Sequence, residues 1–310
     1  MNKALVGYTG FVGSNIYAAG DFAGYNTKNI RDAFGTNPDL LIFSGLRAEK
    51  FLANKDPEKD RELIKEAEEN IRKIGPKKLV LISSVDVIKD PSGTDEDVVI
   101  ETDGLQPYGI NRYHFEKQIR EEYPDALIIR LPGLFGKNIK KNFIYDLINV
   151  IPSMLRADKF EELSSKEPVL KEYYKLLDNG FYKADVPEGE KEMLKDVFSK
   201  LGFTALNFTD SRNIYQFYDL ANLWKDINTC LENGITLWHP ATEPVSAAEV
   251  YRAVTGEEFN NLLNNAPAHY DFRTKYAELF GGRNGYIQSK DEVLDGICRF
   301  VGSMTGGCPL

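Results

Sequence analysis

This sequence predicts an α/β fold: a doubly wound parallel sheet with a smaller, mostly helical C-terminal lobe. Three observations carry the prediction. The run Gly7-Tyr8-Thr9-Gly10-Phe11-Val12-Gly13 directly follows the apolar stretch Ala4-Leu5-Val6. Short continuous apolar runs alternate with charged amphipathic segments through the first half of the chain. From Pro152 to about Phe203 the texture changes to Lys/Glu-rich sequence with leucine and tyrosine at helical spacing.

The glycine run reads as a strand, a tight turn and the first turn of a helix. Glycine suits a turn that needs positive φ or bare backbone beside a phosphate. The helix that follows points unpaired N–H groups and its positive dipole end at such a ligand. The spacing is GxxGxxG, so the middle glycine stands one place later than in GxGxxG. Glycine turns also close ordinary strand–helix units, so the run by itself leaves both readings open.

The next strands follow in order. Leu40 to Ser44, Leu79-Val80-Leu81-Ile82 and Ala126-Leu127-Ile128-Ile129 are continuous apolar runs. Asp60 to Ile74 and Asn111 to Tyr123 are the amphipathic segments between them. Apolar strands spaced by helices mean a parallel sheet covered on both faces, with ligands at the carboxyl ends of the strands. Asn207 to Trp224 reads as a strand leading into a helix, and Thr236-Leu237-Trp238 as a further strand. Ser246 with Glu249 three residues on reads as a capped helix start.

Composition narrows the function classes. A formal charge of -9 argues against a nucleic-acid partner, which needs clustered Lys and Arg. Cys230, Cys298 and Cys308 have no metal-type spacing, so reduced thiols are expected, with Cys308 exposed and inert. His114, His239 and His269 are scattered and read as structural, so no metal site is expected. The first apolar stretch runs into the glycine turn rather than a secretory leader. No apolar run approaches the roughly 20 residues that span a bilayer. A cytoplasmic protein without a membrane partner is the expectation.

Several pieces stand in one order: the glycine turn, Ser83-Ser84 at a strand end, Tyr108-Gly109, the block Arg130 to Gly136, and Arg212 to Ala221. Together they resemble the extended short-chain dehydrogenase/reductase family, the NAD(P)-dependent epimerases, dehydratases and reductases of nucleotide sugars. The likeness covers most of residues 1–150 and returns at about 207–255, and it is nearest to reductases of the dehydrorhamnose type. It implies a Rossmann-like fold with a dinucleotide-binding domain over 1–150 plus about 207–238. Residues 151–206 plus 239–310 would then form the substrate lobe.

The resemblance also implies roles. Gly7, Gly10, Phe11, Val12 and Gly13 would seat the cofactor pyrophosphate, with Gly45 and Leu46 passing the adenosine ribose. Ser84 would hydrogen-bond the reacting oxygen and Tyr108, inside Pro107-Tyr108-Gly109, would give or take its proton. In the family a lysine four residues after the tyrosine binds the nicotinamide ribose, and its charge favours the phenolate. Here that place holds Arg112, which keeps a permanent charge and can donate to ribose hydroxyls. Tyr113 and Lys117 offer a competing register, which the Pro and Gly flanks of Tyr108 and the position of Glu116 disfavour.

Other places depart from the family pattern. Val85 and Asp86 stand where dehydratases carry Asp and Glu, so dehydration is not expected, while Asp86 either touches substrate or caps the next turn. The family's asparagine in the helix before the serine strand maps to Asp60, and its substrate-side asparagine to Gly133. Lys28 and Arg31 near the second strand, with no acidic residue beside them, lean towards NADP over NAD. Arg47 is read as a pyrophosphate contact or a surface ion pair. Lys137, Lys140, Lys141 and Asn142 after the Gly136 turn, with Arg212, are candidates for a nucleotide diphosphate; exposed surface is the alternative for the lysines.

The expectation is an NAD(P)-dependent oxidoreductase or epimerase of a nucleotide-activated sugar, homodimeric by analogy. Its alternative is a non-catalytic NAD(P)-binding sensor or scaffold, because the family lysine is replaced by arginine.

Overall fold

The computed structural model describes residues 2–306; Cys308 lies outside them. The chain forms two compact units. The first holds the residues up to Ile139, Ile214–Val245 and His269–Gly296; the second holds Lys140–Asn213, Ser246–Ala268 and the residues from Ile297 on.

The first unit is built on a six-stranded sheet. Its strands are β1 (Lys3–Val6), β2 (Ala23–Tyr25), β3 (Leu40–Phe43), β4 (Leu79–Ser84), β5 (Leu127–Leu131) and a sixth, Leu237–Trp238. Every pairing is parallel, and the spatial order is Leu237–Trp238, β5, β4, β3, β1, β2. The order doubles back at β1 and β3, which makes the sheet doubly wound and Rossmann-like.

Alternation along the strands feeds two separate cores. Leu5, Ile42, Val80, Leu127 and Ile129 face one side with Ile16 of helix α1 (Phe11–Ala19). Ala4, Val6, Leu41, Phe43, Leu79 and Leu81 face the other. They pack there against Ile64 and Ile71 of α3 (Pro57–Ile74) and Phe115 and Ile119 of α4 (Pro107–Glu122). A short helix α2 (Lys50–Lys55) precedes α3. Asp56 caps α3 by accepting the Lys59 N–H, Pro57 opens it, and Gly75 ends it at φ 68°. These match the apolar runs and amphipathic segments of the sequence.

His269–Gly296 belongs with the sheet unit rather than with the lobe to which the sequence expectation gave it. Its backbone is tied there: the Phe272 N–H donates to Gln216 Oε1 at 2.9 Å and the Ile287 N–H to the Ala241 carbonyl at 2.8 Å.

The second unit has its own core of Leu155, Phe160, Leu163, Tyr174, Leu194 and Phe198. Helices Ala157–Lys166 and Lys191–Leu201 supply the expected helical texture. The sequence reading missed an antiparallel sheet of Met154–Arg156, Phe181–Ala184 and Tyr174–Leu176. Its strands are three or four residues long, too short to show a period of two against their charged surroundings. Ser246 and Glu249 form the predicted capping box at the start of Ala247–Thr255. Among the described residues no helix is long and apolar enough to cross a membrane.

Candidate active site

The parallel register brings the carboxyl ends of β1, β3 and β4 to one edge, because Val6 pairs with Phe43 and Phe43 with Leu81. Gly7 and Ser44 therefore stand side by side at that edge, and Ser84, the last residue of β4, lies two residues beyond their level. Gly7 has φ +89°, and a Cβ there would meet the Ser44 carbonyl oxygen at 2.6 Å. A Cβ on Gly13 would stand 2.1 Å from the Gly7 carbonyl oxygen. These two glycines let β1, α1 and the end of β3 close on one another. Gly10 differs: it is exposed, and its Cβ would meet only the Gly7 carbonyl oxygen, at 3.2 Å. It caps α1 without any side-chain hydrogen bond, so no side chain occupies the first turn formed by Phe11, Val12 and Gly13.

At the end of β4, the Ser84 side chain lies beside that of Tyr108. Tyr108 enters on the first turn of α4 and is buried at 4% exposure. Two contacts set it there. Its N–H donates to Asn54 Oδ1 of α2 at 2.9 Å. Gly109 lies so close to the turn after β4 that a Cβ would meet the Asp86 carbonyl oxygen at 2.2 Å. Burial pushes the Tyr108 hydroxyl above its ordinary pKa; the charges of Arg112 and Lys50 and the nearby Ser84 hydroxyl pull the other way, and Asp86 adds to the rise.

Asp86 gathers the surrounding polar groups. Ser84 Oγ donates to Asp86 Oδ2 at 2.9 Å, and the Tyr270 hydroxyl donates to Asp86 Oδ1 at 3.4 Å. The Asp86 N–H donates to Ser84 Oγ, so the residue also makes the turn that the sequence allowed. Lys50 Nζ stands 2.5 Å from Asp86 Oδ2. Burial draws the Lys50 ammonium down, but Asp86, Tyr270 and Tyr108 outweigh it and hold its pKa above the usual lysine range. Lys50 and Tyr270 were missed by sequence reasoning: neither stands at a family motif, and both arrive through long-range packing.

Arg112 departs from its expected role. Its guanidinium binds both Asp60 oxygens, at 3.0 and 3.1 Å, and the Arg47 carbonyl at 3.0 Å. Asn111 Nδ2 donates to the same Asp60 carboxylate at 3.0 Å. Both ionic side chains are almost fully buried, and the guanidinium carbon lies 4.6 Å from the Tyr108 ring centroid. Arg112 thus supplies charge and a stacking surface to the tyrosine, while its donors are committed to protein acceptors rather than presented to a ribose. In the competing register, Lys117 is exposed and Tyr113 half-buried, on the other side of α4 from the buried face.

The same helix is fixed further along. Glu116 accepts from Arg130 Nη2 at 2.7 Å and from Ser83 Oγ at 2.5 Å, with both ion-pair partners buried. His239 Nε2 lies 3.4 Å from Arg130 Nη1. Burial, then the Arg130 charge, lowers the His239 pKa to about 3, which keeps the ring neutral. His114 and His269 are exposed.

The remaining predicted residues fall in two places. In the sheet unit, Lys28 is exposed on a turn after β2, where its N–H donates to Asn26 Oδ1. Gly45 is exposed and Leu46 half-buried just after β3. Gly133 is a packing glycine, since a Cβ would meet the Gln216 carbonyl oxygen at 2.8 Å. In the second unit, Lys140 is exposed and Asn142 Oδ1 accepts the Tyr145 N–H at 3.1 Å. Arg212 grips Asp210 through two bonds of 2.9 and 2.7 Å, and that pairing holds the Asp210 carboxyl well below its usual range.

No protein-family model and no curated protein sequence matches this chain. Solved structures do. RMD from Pseudomonas aeruginosa, complexed with NADPH, aligns at TM-score 0.64 with 14% identity over 99% of both chains. A dTDP-4-dehydrorhamnose reductase from Bacillus anthracis, in complex with NADP, aligns at 0.61 with 16% identity over 97% of this chain and 98% of that one. A UDP-glucuronic acid 4-epimerase from Bacillus cereus, with a UDP-sugar and NAD, aligns at 0.58 with 13% identity over 99% of both. Together with the strand order and the glycine corner, these alignments show that the chain shares the Rossmann-like fold of these structures.

Proposed function

We propose that this protein is an NAD(P)-dependent oxidoreductase or epimerase acting on a nucleotide-activated sugar. The observation that carries the reading is the placing of Tyr108, buried on the first turn of α4, beside Ser84 at the same sheet edge as the glycine corner. The likeness to NAD(P)-bound reductases and epimerases of nucleotide sugars supports it.

The corner fits a dinucleotide. Gly10 leaves main chain bare at the start of α1, which Gly7 and Gly13 shape by their close packing, and there N–H groups and the helix dipole favour a pyrophosphate. Lys28 and Arg31 are exposed beyond β2, with no carboxylate between Tyr25 and Asn29, which favours NADP over NAD. The nicotinamide, when bound, supplies hydride exchange. The protein's own part is proton handling: Ser84 holds the sugar oxygen and Tyr108 donates a proton to it or removes one.

The test is turnover of NADPH or NADH against a panel of nucleotide keto-sugars, with Tyr108→Phe as control. Losing the proton-transfer group lowers turnover by about 10²–10⁴-fold, with cofactor affinity unchanged. Cofactor binding without turnover in the native protein would instead favour a sensor. Wild-type rates in the variant would mean that another group moves the proton.

A further inference from the structure

We propose that Lys50, delivered by α2, acts beside Arg112 as a second cation of the Tyr108 site, the exchangeable one, in place of a lysine on the tyrosine's own helix. The proposal rests on reading Tyr108 as the proton-transfer group.

The geometry separates two jobs that one lysine could do alone. Arg112, one turn after Tyr108, is locked into Asp60 and the Arg47 carbonyl. Lys50 and Asn54 are four residues apart on α2, so they share a helix face. Asn54 holds the Tyr108 N–H, and Lys50 reaches Asp86, which accepts from Ser84 beside Tyr108. The side chain of Lys50 is still 52% exposed, so it has donors and space that Arg112 lacks. Its contact with Asp86 fixes where the ammonium rests without enclosing it. The groups that face the phenol are then Ser84 and Asp86 from the end of β4, Arg112 from α4, Lys50 from α2 and, through Asp86, Tyr270.

A cation close to a phenol stabilises its deprotonated form. Of the two cations, Arg112 is buried against Asp60, whereas the half-exposed Lys50 side chain can be exchanged for a neutral one without breaking the core. Its role is therefore positional and electrostatic, and it shows in the titration of Tyr108 rather than in folding.

The experiment titrates Tyr108 in the ligand-free protein by NMR of ring-labelled tyrosine, with the signal assigned from Tyr108→Phe. Lys50→Met is expected to move the Tyr108 midpoint upward by about one pH unit or more, and Lys50→Arg to leave it near wild type. The double variant Lys50→Met/Asp86→Asn decides the route. A midpoint that stays raised relative to Asp86→Asn alone supports direct action of the ammonium on the phenol. A midpoint equal to that of Asp86→Asn, or no shift in Lys50→Met, overturns the proposal. In turnover, the same Lys50→Met shift is expected in the pH profile. Absence of turnover in the wild-type protein would strike the proposed function instead and leave the titration result standing.

Discussion

Gly109 and Asp86 are in a contact that no other residue at position 109 could make: an added Cβ would lie 2.2 Å from the Asp86 carbonyl oxygen. This close approach seats the first turn of α4 on the end of β4 and delivers Tyr108 to Ser84.

Gly109→Ala is therefore expected to push α4 away from β4. Overpacking of this kind costs roughly 1–3 kcal/mol, measurable by denaturant unfolding. Turnover should fall at least about tenfold, because displacing a catalytic group by an ångström is enough for such losses. A variant with native stability and native rates would show that the contact is not what positions the phenol.

Gly13→Ala and Gly10→Ala should behave differently. At Gly13 the new methyl collides with the Gly7 carbonyl at 2.1 Å, so the corner itself is disrupted and thermal stability falls. At Gly10 the nearest atom is 3.2 Å away, so the fold survives and the loss appears in dinucleotide affinity. Calorimetric titration with NADPH beside melting curves checks both; equal affinity in Gly10→Ala and wild type would remove the corner from the cofactor site.

Arg112→Ala and Asp60→Ala each leave a buried charge without its partner. Each should destabilise the protein by roughly 3–5 kcal/mol. The double variant should lose less than the sum, since the two effects share one interaction. Additive losses in a double-mutant cycle would contradict the pairing.

Asp146, in Phe143–Ile148 of the second unit, provides a pH test. Burial raises its pKa from 3.8 to about 7. Between those values the folded chain binds more protons than the unfolded one, so this group's contribution to stability declines as pH rises. Above pH 7 the full cost of the buried carboxylate is present; below about 4 it is absent. Asp146→Asn should gain on the order of 2 kcal/mol at pH 8, after discounting for solvent access, and nothing at pH 4. Unfolding curves at the two pH values measure the difference.

Much of the sheet unit was legible because its signals are local. Continuous apolar runs marked β3, β4 and β5, and glycine spacing marked the turn after β1. Tyr108 could be found because Pro107 opens its helix and Gly109 allows the close approach, and both stand beside it in sequence. What sequence could not give was partnership across distance. Arg112 finds Asp60 from 52 residues away, and nothing near either residue announces the pair. Lys50 looks like one more charged residue in a charged segment until α2 is folded against α4. The strands of Met154–Ala184 escaped for another reason: they are shorter than any alternation that could betray them.

Helix α4 is held at Asn54, at Asp60, at the Gly109 contact, and at Glu116 by Arg130 and Ser83. So many anchors along sixteen residues leave it no freedom to roll or slide. The phenol it carries is a stationary landmark: visitors to this sheet edge must come to it, since it will not travel to meet them.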